Sequence, residues 1–333
     1  MTFLPADDHM LIMNVNSHMY SKHGQCESLT DEDLSRLRDV GAKTIVQYSM
    51  WSELVARGWN YLDMEVALAH KHGMRSLICT YYGAPPNLPK EWYCWKPDGT
   101  VGVHDPGGAG LCALSLWNME ARAALLVHIG KIVNRYPRDT ASVVFSGWGA
   151  GEAVLPMAYF YEPAALKSHS AEVGGRPDPD NLETRAWVNR AVVDYYISIN
   201  EVLLPQHNQT WNMMHRVLLK NNESCGIGAQ EDIFAAEYER WPGADRYLLQ
   251  YTYWGHSKGG HKTILDGWRD KYKLQTIVEA GYCSGLPTTA PLAIAAGMRG
   301  QIVAPRHPEM HETHLRQEHV DAIKDAIQLW EQA

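Results

Sequence analysis

The sequence predicts a (β/α)8 barrel. Eight short apolar runs have strand character, helix-period stretches lie between them, and the two longest irregular stretches, 82–115 and 154–180, each directly follow a strand. In such a barrel the strand ends build one face, and the loops leaving that face carry the chemistry.

The strands are expected at Met10–Asn16, Lys43–Ser49, Arg75–Tyr81, Ala141–Trp148, Gln209–His215, Tyr247–Tyr253, Gln275–Glu279 and Gly300–Ala304. The first helix is expected over Asp31–Val40, with Thr30 as N-cap and Leu34, Leu37 and Val40 on one face. Tyr61–His72 should stop at Gly73, and Ala121–Tyr136 before Pro137. Asn181–Leu204 places Val188, Val192, Tyr195, Ile199 and Leu203 at helical spacing. The last helix aligns Val320, Ile323, Ile327 and Trp330 in one stripe. No linker, repeat or low-complexity tract interrupts this order, so residues 1–333 are expected to form a single barrel domain.

Composition narrows the function. A net charge of −8 argues against a nucleic-acid or anionic-membrane partner, and no run reaches the ~18 apolar residues of a membrane span. "MTFLPADDHM" has no basic region followed by an apolar run, so no signal peptide is expected. Six cysteines without a CxxC suit reduced thiols, and a cytoplasmic location is expected, which leaves the sequons at Asn208 and Asn222 idle. The chain holds 12 Trp and 17 Tyr against 4 Phe, and rings with a polar edge suit surfaces that stack on a ligand and also hydrogen-bond to it.

The strand ends gather those rings. They carry Asn14, Asn16 and His18, then Gln47, Ser49 and Trp51, then Tyr81 and Tyr82, then Trp148 and Glu152. The second half supplies Trp211, Asn212 and His215, then Tyr251, Tyr253 and Trp254, then Glu279 and Tyr282, then Arg306 and His307. An aromatic mouth of this kind suits a sugar. Trp51, Tyr81, Trp148, Trp254 and Tyr282 are candidates for stacking, and Asn16, Gln47, Asn212, His215 and His307 for hydroxyl contacts.

Only two of the eight ends carry a carboxylate, Glu152 in "GWGAGEAVLP" and Glu279 in "QTIVEAGYCSG". Each leaves an apolar strand beside glycine. A lone strand-end glutamate commonly pairs with a basic neighbour. Two across one barrel mouth can instead flank an acetal, one giving a proton to the leaving oxygen and the other attacking or activating water. A separation of about 5 Å gives retention, and roughly 6.5–9.5 Å gives inversion.

The whole order resembles the clan A glycoside hydrolases, and within them the catalytic barrel of the family 42 β-galactosidases. The similarity is densest over 41–99, where "YLDMEVALAHKHGMRSLICTYYGAPPNLPKEWYCWKPDG" resembles that family's third unit, with its "APP" and aspartate–glycine loop. Trp51 in "YSMWSEL" and the strand "SVVFSGWGAGEA" fit the second and fourth units. The resemblance implies Glu152 as acid/base, Glu279 as nucleophile, an oligo- or polysaccharide substrate and no cofactor. It also marks two differences. Gly151 stands where the clan usually has the asparagine that bonds the sugar 2-hydroxyl, and Gln47 or Val46 stands near the usual arginine of the second strand. The implied subsite is therefore altered, and galactose specificity is not carried over. That family's later domains have no counterpart in this sequence.

Other readings fit less well. The glycines of "GWGAGE" lack the helix start and the acid about 20 residues on that a dinucleotide site needs. "GEA" faintly resembles the inverting family 14 β-amylases. The three histidines of "HPEMHETH" lack HExxH order, so no metal site is expected. Cys283 reads as a small buried residue. The rival from another class is a catalytically silent glycan-binding barrel, which would suit the missing asparagine and arginine but has no need of two acids.

Overall fold

The computed structural model describes residues 8–14, 28–81, 84–104, 111–112, 114–145, 160–178, 180–203, 205, 211–212, 248–251, 275–295, 297–306 and 314–333. Eight strands form one sheet: β1 Met10–Asn14, β2 Thr44–Met50, β3 Arg75–Tyr81, β4 Ser142–Phe145, β5 Trp211–Asn212, β6 Leu248–Tyr251, β7 Gln275–Tyr282 and β8 Gly300–Ala304. The row runs β4-β3-β2-β1-β8-β7-β6-β5, every pairing is parallel, and β4 lies against β5. Each strand thus neighbours the next in sequence, and the first pairs with the last, which is the cyclic order of a (β/α)8 barrel. All eight strands fall within or overlap the predicted runs.

The helices are α1 Asp31–Asp39, α2 Trp51–Arg57, α3 Asn60–Lys71, α4 Met119–Arg135, α5 Pro163–Glu172, α6 Leu182–Leu203, α7 Leu286–Ala295 and α8 Gln317–Glu331. Thr30 caps α1 as expected: its hydroxyl accepts the Asp33 amide, and Asp33 accepts the Thr30 amide in return. Past α3, Gly73 takes a left-handed φ of 69° and turns the chain toward β3. Three of the described helices lie outside the predicted set. α5 sits inside the stretch read as irregular, opened by Pro163 in the first turn, where the missing N–H costs nothing. α2 is only seven residues, too short to show a period. α7 contains Pro291, which reads in sequence as a breaker.

Strand alternation divides the core into two layers. Met10, Ile12, Ile45, Ile78, Val143 and Val303 pack with the helices in one continuous cluster. Leu11, Met13, Val46, Tyr48, Leu77, Cys79, Val144, Ile302 and Ala304 alternate with them and are also buried, filling the barrel interior. At the N-terminal end, the Asp8 carboxylate accepts from Thr44 Oγ1 and Arg75 Nη2, both at 2.5 Å. Gln301 anchors the outer layer at β8. Its Nε2 donates to Thr289 of α7 at 2.9 Å, and its Oε1 accepts Trp330 Nε1 of α8 at 3.0 Å.

Among the described residues, no helix is long and apolar enough to cross a membrane.

Candidate active site at the strand ends

Because all eight strands are parallel, their C-terminal ends share one rim. β4 ends at Phe145, seven residues before Glu152, and Glu152 itself lies outside the described residues. Asn16, Trp148, His215, Trp254 and His307 also lie outside them. Glu279 is placed by its backbone within β7, registered against Ile302 of β8, whose side chain belongs to the barrel interior. β7 runs three residues further than the sequence suggested. Directly after Glu279 the register shifts, so that Val303 pairs with Gly281 and Ala280 is the extra residue. Such bulges re-aim a strand where it meets a site. Tyr81, Asn212 and Tyr282 are placed likewise by backbone, at the ends of β3, β5 and β7.

One expectation is corrected, and the surroundings of a second residue, Trp51, are defined. Gln47 does not reach the barrel mouth. It shares its face of β2 with Ile45, is fully buried in the sheet–helix layer, and its Nε2 donates to Ser76 Oγ of β3 at 3.2 Å. The period of two decides this, since the strand continues to Met50 and its barrel-facing residues here are Val46 and Tyr48. Trp51 opens α2, and its ring stacks on His128 of α4 at 5.2 Å and 14°, packed against the outer core. One face of the ring is therefore used inside the fold. Burial pushes His128 down to about 4, with Lys131 adding to the shift, so the ring is neutral where Trp51 covers it.

The eighth strand's Arg306 is buried and sits 4.0 Å from Asp33 of α1. Asn14, at the end of β1, accepts the Leu29 amide through Oδ1 at 2.9 Å. These contacts tie the rim at β1 and β8 to the start of α1.

The loops after β3 and β4 are built together. Trp95 makes a parallel bridge with Phe160, the Tyr161 amide donates to Trp95 O at 3.2 Å, and Arg176 donates to Pro97 O at 3.1 Å. Trp117 stacks on Trp187 at 3.9 Å, with Phe160 edge-on to both. In sequence, the stretch holding Glu152 joins β4 to this cluster at Phe160.

Two buried carboxyls escaped the sequence reading. Glu162, at the N-cap of α5, is fully buried and accepts Ser115 Oγ at 2.5 Å, and burial raises it to about 7. Glu65 of α3 accepts Ser28 Oγ at 2.5 Å and is also raised to about 7, by burial first and then by Glu53. Glu53 in turn accepts Arg57 Nη1 at 2.7 Å, and that guanidinium lies 4.0 Å over the Tyr61 ring. The signal for Glu162 was its place directly before an N-terminal proline in "YFYEP". Glu65 follows the apolar stripe of α3 and had no local sign. No group of three or more His, Cys, Asp or Glu able to hold a metal occurs among the described residues.

Solved structures share this architecture. A β-galactosidase from the psychrophilic Marinomonas ef1 superposes with a TM-score of 0.64 at 12% identity, over 96% of this chain and 59% of its own. A β-galactosidase from the Antarctic haloarchaeon Halorubrum lacusprofundi gives 0.64 at 13%, over 96% and 57%. A catalytic mutant of a GH42 β-galactosidase from G. stearothermophilus gives 0.60 at 11%, over 97% and 56%. What is shared with these enzymes is the fold, a (β/α)8 barrel. The chain spans less than two thirds of the length of each of these enzymes. No family model and no curated protein sequence matches it. At such identity the likeness concerns the fold, and chemistry must be argued from the site.

Proposed function

We propose that this glycoside hydrolase-like barrel is a retaining glycosidase acting on an oligo- or polysaccharide, with Glu152 as acid/base and Glu279 as nucleophile. One observation carries the reading: β7, which holds Glu279, and β4, which leads to Glu152, end on the same rim of one parallel sheet. Carboxyls brought to one rim by these two strands would have the arrangement that acetal cleavage needs, and the β-galactosidase barrels of like fold support the reading.

In the first step Glu279 attacks the anomeric carbon while Glu152 gives its proton to the leaving oxygen. In the second, Glu152 takes a proton from water, and that water displaces Glu279. Mutual repulsion keeps one proton between the two acids, residing on Glu152. Glycosylation of Glu279 removes that repulsion and lets Glu152 act as base. No cofactor enters either step. Tyr81, Trp148, Trp254 and Tyr282 supply stacking faces and Asn16, Asn212, His215 and His307 hydroxyl contacts, all within one barrel domain. A stacked ring contributes on the order of 1 kcal/mol beyond the area it buries.

Turnover of a panel of aryl glycosides and oligosaccharides tests the reading. Glu279→Gly should abolish all turnover. Glu152→Ala should spare attack on dinitrophenyl glycosides, slow deglycosylation, and recover with azide. Undiminished hydrolysis of natural and activated substrates alike by Glu152→Ala would remove Glu152 from the acid role.

A second reading has its own support. The inner face of β2 above Thr44 offers Val46, Tyr48 and Met50, with no arginine to hold the reacting sugar. A barrel that binds glycan without cleaving it would tolerate this. It predicts saccharide binding with no turnover on the same panel.

A further inference from the structure

Ser115 is the meeting point of three hydrogen bonds. Its oxygen accepts the amides of Trp117 at 3.2 Å and Asn118 at 3.1 Å, which lead into α4, while its hydroxyl donates to Glu162 Oε1 at 2.5 Å. Asn118 then caps α4 through Oδ1. Glu162 stands at the start of α5, so a single carboxyl joins the beginnings of two helices that follow different strands. The join is sealed. Glu162 and Ser115 are both fully buried, and Glu162 Oε2 has no partner among the described residues. Cys94 lies near it, and Leu114 and Leu116, beside Ser115, and Phe160 and Ala165, along the chain from Glu162, are all buried.

Among the described residues, the charged and titratable surroundings are sparse. Cys94, from the β3 loop, donates its thiol to Leu114 O, and burial pushes that thiol well up, so it stays neutral. His169, on α5 itself, is bonded to Thr184 Oγ1 and Gly175 O. No ion pair reaches Glu162 from α4, α5 or α6 among the described residues. A carboxylate formed here would keep the Ser115 hydroxyl and nearby amides but gain no counter-charge, and a buried charge without one is costly.

We propose that the Glu162–Ser115 hydrogen bond is a proton-dependent latch between the β3 and β4 loops, closed when Glu162 is neutral and loosened when it ionises. The sign follows from linkage. In an opened loop Glu162 meets water and titrates as an ordinary carboxylate, whereas in the closed form burial holds it protonated up to about 7. The opened form therefore sheds its proton first as pH rises, and opening is favoured from the ordinary carboxylate range up to about neutrality.

Hydrogen exchange on the intact protein tests this without any substrate. The amides to follow are Tyr161, bonded to Trp95 O, and Ser115, bonded to Trp92 O; Gln301, bonded to His9 O, is the distant control. Relative to Gln301, which reports the pH dependence of the whole fold, protection factors of Tyr161 and Ser115 should fall by roughly ten- to a hundredfold between pH 5 and pH 8. In Glu162→Gln, which keeps the shape and cannot ionise, this relative pH dependence at Tyr161 and Ser115 should vanish. Near-UV circular dichroism of the stacked Trp117–Trp187 pair should follow the same titration. Level relative protection in the wild type overturns the latch whatever the variant does, and so does an unchanged relative pH dependence in Glu162→Gln.

Discussion

Gln47 Nε2 donates to Ser76 Oγ across β2 and β3, on the helix side of the sheet rather than in the barrel mouth. Gln47, read from the sequence as part of the polar rim, thus belongs to the packing layer. Gln47→Ala should lower stability by about 1–3 kcal/mol through loss of the bond and of buried volume. Denaturant unfolding measures this, and saccharide binding should be unchanged.

Trp51→Ala should behave in the same way. Its ring covers His128, so truncation opens a void against α4 and exposes the imidazole. Loss of a large buried-face aromatic costs on the order of 3 kcal/mol. His128 should then titrate nearer its ordinary value, which NMR of the imidazole reads directly. Retention of its depressed value in the variant would show that the stack does not shield it.

Gly300 has no room for a side chain. A Cβ there would stand 2.7 Å from the His9 carbonyl oxygen, a backbone atom at the start of β1. Gly300→Ala should force β8 away from the His9 segment and destabilise the fold by about 1–3 kcal/mol. Gly130→Ala, whose nearest neighbour is a Val202 methyl at 4.0 Å, is the control and should be tolerated. Equal midpoints for the two variants would contradict the close approach.

Glu65 gives the fold a pH dependence. Its carboxyl is raised in the folded state, so the neutral form is favoured there, and its contribution is full below the unfolded value of 4.5. That contribution falls as pH rises to about 7 and then levels off. Glu65→Gln should flatten this decline, worth up to roughly 3 kcal/mol, while retaining an acceptor for Ser28. Unfolding midpoints between pH 5 and 8 measure it. Parallel wild-type and variant curves would contradict the assignment.

The strands were legible because buried parallel strands are rich in apolar residues, as in "MLIMN" and "SVVF". What the sequence concealed was facing. Gln47 and Val46 are adjacent, and only the true strand end, at Met50, decides which of them enters the barrel. Helices were legible where a stripe and a cap coincided, as at Thr30 and α1. α2 was too short to show a period, and α7 was masked by Pro291. Of the candidate site, β4 and β7 were foreseen as strands; Glu279 lies in β7, and Glu152 lies outside the described residues. Glu162 and Glu65 were not foreseen, because burial of a lone glutamate depends on partners distant in the chain, Ser115 and Ser28.

The covalent step is the centre of the functional account, and one measurement reaches it. The protein is incubated with a panel of dinitrophenyl 2-deoxy-2-fluoroglycosides, which slow deglycosylation more than attack, and then digested for peptide mass spectrometry. The account predicts one stable glycosyl adduct, on the peptide containing Glu279, with stoichiometric release of dinitrophenol. An adduct on any other residue, or turnover of the parent glycosides with no adduct from the matching fluoroglycoside, would contradict it.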